Sequence, residues 1–139
     1  MDIYIASSWR NQHAVEMLTY LLEDRGHTVH SFVRKAAADE GRVNFGSPTL
    51  EEWVWSEDGA KKFEYDTGHA RTSDLVVYIG PSGPDAWAEI GVAWASGVPV
   101  CGLWAKGEPV GLMRRMVEVW FDDHQALLRF LVTALKEAE

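Results

Sequence analysis

Glu89 stands in Ala86-Trp87-Ala88-Glu89-Ile90-Gly91-Val92-Ala93-Trp94-Ala95, an otherwise apolar stretch. A charge in such a setting is costly unless it is paired or used. The stretch follows the turn Gly80-Pro81-Ser82-Gly83-Pro84, which places Glu89 about one turn into a helix. A helix N-terminus favours the ionised carboxylate. Such a carboxylate, held in a cleft, can attack a sugar C1 or stabilise a positively charged sugar. A glutamate that only compensates the helix dipole fits the same spacing, so both readings stand at this point.

Two other side chains have the chemistry to work with it. Asp66 lies in Phe63-Glu64-Tyr65-Asp66-Thr67-Gly68-His69-Ala70, eight residues before Asp74, where a solvated helix carboxylate is the plain alternative. Tyr4 alternates with Ile3 and Ile5 in an apolar strand. A strand buried on both faces leaves its phenol in need of a partner, and a carboxylate in the cleft is one candidate. At the end of that strand, Ser7, Ser8, Trp9 and Arg10 open the next helix. Backbone N–H groups there can receive an anion, an arginine fork can hold a phosphate, and Trp9 can stack on a flat ring. Ser82, Gly83 and Asp85 line the turn before Glu89.

Other chemistries are not announced. The first strand is followed by Ala6-Ser7-Ser8-Trp9-Arg10, without the glycines of a dinucleotide fingerprint. There is no Walker A sequence and no G-x-S-x-G elbow. The five histidines never occur at H-x-H or H-x-x-x-H spacing, so no metal and no cofactor is expected. The single cysteine, Cys101, excludes an internal disulfide and reads as a buried, inert thiol.

The elements that position these residues follow from periodicity. Apolar runs at 2–7, 28–33, 75–79, 98–103 and 117–121 read as strands. Helical spacing covers 9–25, with Ala14, Val15, Leu18, Leu21 and Leu22 on one face and Gly26 as its stop. Residues 34–47 read as a loop or lid, and 48–56 as a short helix. A further helix spans 60–72 after a break at Gly59, and others cover 85–96 and the C-terminal stretch capped by Asp122 or Asp123. Strands separated by helices predict a single three-layer α/β domain over residues 1–139. It is doubly wound in the flavodoxin or Rossmann manner, with a parallel sheet of about five strands. Ligands in such sheets bind outside the carboxyl ends of the strands, where strand order reverses.

Composition narrows the partners. The 139 residues carry 21 acidic and 13 Lys/Arg side chains, a net charge of -8, with no long basic run. A nucleic-acid polymer or an anionic membrane surface is not the expected partner. No apolar stretch approaches a membrane span, and the N-terminus reads as a strand rather than a signal peptide. A reducing cytoplasm is the expected location.

Three segments resemble the nucleoside 2-deoxyribosyltransferase family and the related deoxynucleoside-monophosphate N-glycosidases. They are Ile3-Tyr4-Ile5-Ala6-Ser7; Asp66 followed after eight residues by Ser73-Asp74-Leu75-Val76-Val77; and Ala88-Glu89-Ile90-Gly91-Val92-Ala93-Trp94-Ala95-Ser96-Gly97-Val98-Pro99-Val100. The resemblance implies N-glycosidic cleavage or transfer on a nucleoside or nucleotide. Glu89 would act at C1, Asp66 would serve the leaving base, and Tyr4 would orient Glu89. It also implies a homodimer or larger homo-oligomer, with a neighbouring subunit helping to complete the site. The family usually places an Asp or Ser six residues before the glutamate, where this chain has Gly83; Ser82 and Asp85 are the nearby substitutes. A broader resemblance, through Ser73-Asp74-Leu75-Val76-Val77 and Trp87, is to Toll/interleukin-receptor-type domains, some of which cleave NAD. A ligand-sensing or scaffold role on the same fold is the non-enzymatic alternative.

Overall fold

Alternation of apolar side chains along the strands determines the architecture. In β1 (Asp2–Ala6), Ile3 and Ile5 point to one face of the sheet, and Tyr4 and Ala6 to the other. β3 (Leu75–Ile79) divides in the same way, with Leu75, Val77 and Ile79 on the first face and Val76 and Tyr78 on the second. Both strands are buried on both faces, which requires a layer of helices on each side. The computed structural model, which describes residues 1–38 and 49–138, has this arrangement.

Five strands form one parallel sheet in the order β2-β1-β3-β4-β5, with β2 at Thr28–His30, β4 at Val100–Leu103 and β5 at Val119–Phe121. This is the flavodoxin-like order, in which the chain reverses direction across the sheet between β1 and β3. On one face lie α1 (Gln12–Asp24) and α6 (His124–Ala138), contributing Val15, Leu18, Leu22, Leu127, Leu128 and Leu131 to the core. Each of these side chains, removed from water, contributes about 1.5–3 kcal/mol. On the other face lie α4 (Glu57–Thr72) and α5 (Pro84–Ala95), through Ala70, Ala86, Ile90 and Ala93. The small residues let α5 lie close to the sheet, and Gly97, at φ 77°, ends it in the left-handed conformation that favours glycine.

Several boundaries differ from the periodicity. The first helix begins with a 3₁₀ turn at Trp9–Asn11, capped by Ser8, before α1. The second strand stops at His30, and α2 (Phe32–Ala38) occupies residues expected as strand end and loop. Ser31 explains the switch: its hydroxyl accepts from the Arg34 N–H at 3.1 Å, ending the strand as a helix cap does. The remainder of the expected loop or lid, 39–48, lies outside the described residues. After α3 (Leu50–Val54), the break falls at Trp55-Ser56, not at Gly59. Ser56 caps α4, and Gly59 packs against the backbone carbonyls of Trp53 and Val54, where a Cβ would overlap them. Val132 on α6 is 45% exposed, and Trp94 on α5 is 61% exposed. Cys101 is buried, and burial pushes its thiol up to about 12.

Candidate active site

Tyr4, Glu89 and Asp66 meet on the α4/α5 face of the sheet beside the β1/β3 reversal. Tyr4 is fully buried, and its hydroxyl donates to Glu89 Oε1 at 2.7 Å. Glu89, in the second turn of α5, is part-buried over β1. Asp66 stands midway along α4, not near its start, on the same side as Lys62 one turn earlier. Its Oδ1 is buried and has no hydrogen-bond partner among the described residues. An unpartnered buried acceptor costs about 1–3 kcal/mol, which leaves this oxygen open to a donor from a ligand or water.

Electrostatics follow from this crowding. Burial, then the nearby Asp66, raises Glu89 from 4.5 to about 8, against the lowering effect of the Tyr4 hydrogen bond. Burial raises Asp66 from 3.8 to about 6, with Lys62 and Tyr4 pulling it back down. Burial and the two carboxylates push the Tyr4 phenol well above its ordinary value. The expectation that the helix N-terminus keeps Glu89 ionised does not hold in the free protein. Desolvation and a neighbouring like charge outweigh the dipole so close to the sheet. Raised to about 8 and about 6, the two carboxyls titrate as a coupled pair whose macroscopic steps belong to both groups.

The residues around the pair divide into those that face it and those that build the frame. Asp85 is exposed in the first turn of α5, and its charge raises both Glu89 and Asp66. Gly83 is the helix cap and presents no side chain. Ser82 donates to the Tyr78 hydroxyl at 2.9 Å. Ser7 is taken up by the frame: it donates to the Ile79 carbonyl at 2.7 Å and accepts from Asn11 Nδ2 at 3.0 Å. Asn11 also reaches the Pro81 carbonyl at 2.7 Å, which ties the ends of β1 and β3 across the reversal. Ser8 caps the 3₁₀ turn, and Arg10 is exposed on it. Trp9 is half-exposed, edge-on to Phe32 at 4.6 Å, with the Lys62 ammonium 5.5 Å from its ring centre. Lys62 is thus the cation between Trp9 and the carboxylates.

Several of these residues carry no role in the sequence reading. Lys62 was legible only through its i, i+4 relation to Asp66. His30 lies beside Tyr4 in the register of β1 and β2, and its ring stacks on His69 at 3.8 Å. Tyr65 meets both imidazoles edge-on. Burial, then the nearby His30, lowers His69. Trp87 lies two residues before Glu89 and points away from it, into a cluster with Tyr78 and Trp120. An open, mostly apolar groove of about 800 Å³ lies on the opposite face of the sheet, lined by Met17, Leu21, Ile79, Leu103 and His124. Neither Glu89 nor Asp66 borders it. Among the described residues no cluster of His, Cys, Asp and Glu could hold a metal ion, and no helix is long and apolar enough to cross a membrane.

No family model matches the chain, and no curated protein matches it in sequence. Solved structures do. A 2-deoxyribosyltransferase from Bacillus psychrosaccharolyticus superposes with a TM-score of 0.69 at 25% identity, over 91% of this chain and 90% of the other. The CMP N-glycosidase of Clostridium botulinum gives 0.60 at 17% identity, over 94% and 98% of the two chains. A conserved protein from Enterococcus faecalis gives 0.62 at 18%, over 93% and 95%. The last two bear on the fold alone. The chain thus shares its fold with all three and is similar, at 25% identity over nine-tenths of its length, to a 2-deoxyribosyltransferase.

Proposed function

We propose that the protein cleaves or transfers the N-glycosidic bond of a nucleoside, with Glu89 acting at sugar C1. One observation carries this: two part-buried carboxylates, Glu89 and Asp66, converge with the Tyr4 hydroxyl beside the β1/β3 reversal, where burial raises both. The reaction needs one carboxyl protonated and one ionised. A nucleophile must be anionic at C1, and a departing base must gain a proton. Asp66 has an unpartnered buried oxygen to meet the base, and Tyr4 holds Glu89 by its Oε1.

The steps balance as follows. The base takes up the pair's proton through Asp66 as the C1–N bond breaks, and the bonding electrons leave with the base nitrogen. Glu89, now anionic, forms an ester to C1 or shields its positive charge. Attack by a second base at C1 breaks the ester, returns the base's N–H proton to the pair through Asp66 and yields a new nucleoside. Attack by water returns its proton in the same way and yields the free sugar.

The test is a mixed incubation. Purine and pyrimidine ribo- and deoxynucleosides and their 5′-monophosphates are supplied with and without a second free base, and products are separated by chromatography. A new nucleoside formed only with added base supports transfer. Base released only from monophosphates, and lost in Arg10→Ala, replaces this reading with a nucleotide hydrolase. Turnover of none of them, with NAD also intact, removes the enzymatic reading.

A further inference from the structure

Arg114 and Glu108 are charged residues of the β4–β5 connection, yet only 7% and 8% of their surfaces are exposed. The Arg114 guanidinium lies between two indoles, 4.0 Å from the ring centre of Trp104 and 4.1 Å from that of Trp120, with a third, Trp87, at 6.0 Å. Its Nη1 stands 3.6 Å from Glu108 Oε2. Glu108 Oε1 accepts from the Tyr78 hydroxyl, and the carboxylate packs under Gly80, where a Cβ would overlap it. The connection is thus fastened to the end of β3.

Stability does not account for this pair. Both charges leave water, and their contact is too long for a hydrogen bond. Among the described residues, Arg114 Nη2 and Glu108 Oε2 have no hydrogen-bond partner. Apolar side chains of the same volume commonly match or better a buried pair so incompletely bonded. What they do not reproduce is direction. A planar guanidinium held by a carboxylate fixes the planes of the indoles stacked on it.

One member of that cluster belongs to α5. Trp87 packs against Tyr78, with ring centres 4.8 Å apart, and against Trp120 at 6.5 Å. Trp87 and Glu89 are two residues apart, about 200° around the helix. α5 is therefore held on two flanks, by Trp87 on one and by the 2.7 Å bond of Tyr4 to Glu89 on the other. Its own sequence adds little grip. Gly83, the N-cap, makes no side-chain bond, and the buried residues are Ala86 and Ala93 beside Ile90. A turn of about 10° around the axis moves a side-chain tip, roughly 6 Å out, by about 1 Å. That stretch takes the Tyr4–Glu89 contact out of hydrogen-bond range. The same displacement at a reacting centre costs about 100-fold in rate.

We propose that Arg114 and Glu108 are positioning residues that act through Trp87 to set the rotation of α5, and so hold Glu89 against Tyr4. The inference rests on the N-glycosidic reading for what Glu89 does. It adds a device, outside the carboxylate site, that determines where Glu89 stands.

Two variants test it. Arg114→Met combined with Glu108→Gln removes both buried charges, keeps the volume and leaves an acceptor for Tyr78. Trp87→Leu leaves the pair intact and cuts its link to α5, at a side chain that is only partly buried. Each is judged by its melting temperature, by kcat and KM on the nucleoside turned over in the mixed incubation, and by carboxyl-carbon NMR titration of Glu89. Glu89 faces Tyr4 of β1, Asp66 and Lys62 of α4 and Asp85 of its own helix, none of which is altered. The double variant is expected to melt at or above the wild type. In both variants kcat falls about tenfold or more, with KM within about threefold. Glu89 titrates higher, as in Tyr4→Phe, because the bond that lowers it is stretched. Combining all three substitutions gives no further loss, as a single relay requires. A merely structural pair would change the melting temperature and leave the Glu89 titration where it is. That result, or kcat and titration unmoved in both variants, overturns the proposal while leaving N-glycosidic chemistry intact. If the double variant does not fold, Trp87→Leu decides on the same readouts. If the wild type turns nothing over, the N-glycosidic reading fails and the titration decides alone. A rise for Glu89 in Trp87→Leu then upholds the positioning, and an unchanged titration overturns it.

Discussion

Replacing Glu89 with glutamine is expected to abolish turnover and, at neutral pH, to make the protein more stable. The wild-type carboxyl titrates near 8 when folded and near 4.5 when unfolded. Its folded pKa is raised, so protonation favours the folded state. That stability is fully present below pH 4.5 and is lost as pH rises through 8. The loss accrues at about 1.4 kcal/mol per pH unit, reaching about 3 kcal/mol by pH 7. Glutamine has the shape of the protonated form, keeps an oxygen for the Tyr4 hydroxyl, and does not ionise. Glu89→Gln should therefore match the wild type near pH 4.5 and exceed it by about 3 kcal/mol at pH 7, with no further gain much above pH 8. For a chain of this length that is a rise in Tm of roughly 6–12 °C. Thermal unfolding followed by circular dichroism between pH 4.5 and 9 measures the difference. A difference that stays flat across this range means the carboxyl is already ionised in the folded protein, and the shared-proton reasoning fails.

Further outcomes follow from the same pair. The kcat/KM profile should be bell-shaped, with limbs near 6 and 8, because the working form carries one proton on two carboxylates; a profile flat from 5 to 9 would count against it. Tyr4→Phe removes the hydrogen bond that lowers Glu89, so the basic limb should move upward and activity should fall about 10–100-fold; an unchanged limb would free Tyr4 of that role. We also propose a homo-oligomer, on the exposure of Trp55 at 84%, Trp94 at 61%, Tyr20 at 71% and Met17 at 68%. Sedimentation at micromolar concentration should show a dimer or larger, and a monomer at every concentration would remove a site shared between subunits.

What the sequence discloses here depends on whether a residue's environment is local. The strands at 75–79 and 3–6 are short, largely apolar segments, and their parallel pairing follows from the helices between them. Glu89 and Tyr4 stand out because each interrupts an apolar pattern. Tyr78 carries the same signal as Tyr4, a phenol inside Leu75-Val76-Val77-Tyr78-Ile79, and the need for a partner applies to it equally. The helix at Phe32–Ala38 was hidden because Thr28-Val29-His30-Ser31-Phe32-Val33 has strand composition, and only the capping bond of Ser31 overrides it. Glu108 and Arg114 were not legible at all. They lie outside any periodic segment; indoles from α5, β5 and the residue after β4 cover Arg114, and Glu108 packs under Gly80 and accepts from the Tyr78 hydroxyl.

Both polar chains, Tyr4 to Glu89 and Tyr78 to Glu108, originate on one face of the sheet because strand side chains alternate with a period of two. Tyr4 and Tyr78 are two residues apart in register on adjacent strands, so a slip of one residue in either strand would turn its tyrosine to the α1/α6 face. Around these two strands that face is an apolar layer, lined by Ile3, Ile5, Leu75, Val77 and Cys101. A misregistered sheet would thus bury an unpartnered hydroxyl at a cost of about 1–3 kcal/mol for each tyrosine, besides exposing apolar side chains to the polar layer. The hydrogen bonds that arrange the site therefore also specify the pairing of β1 with β3. Tyr4→Phe removes that discrimination while leaving the apolar pattern intact, which is why it should fold while its effect appears in kcat and the pH limbs.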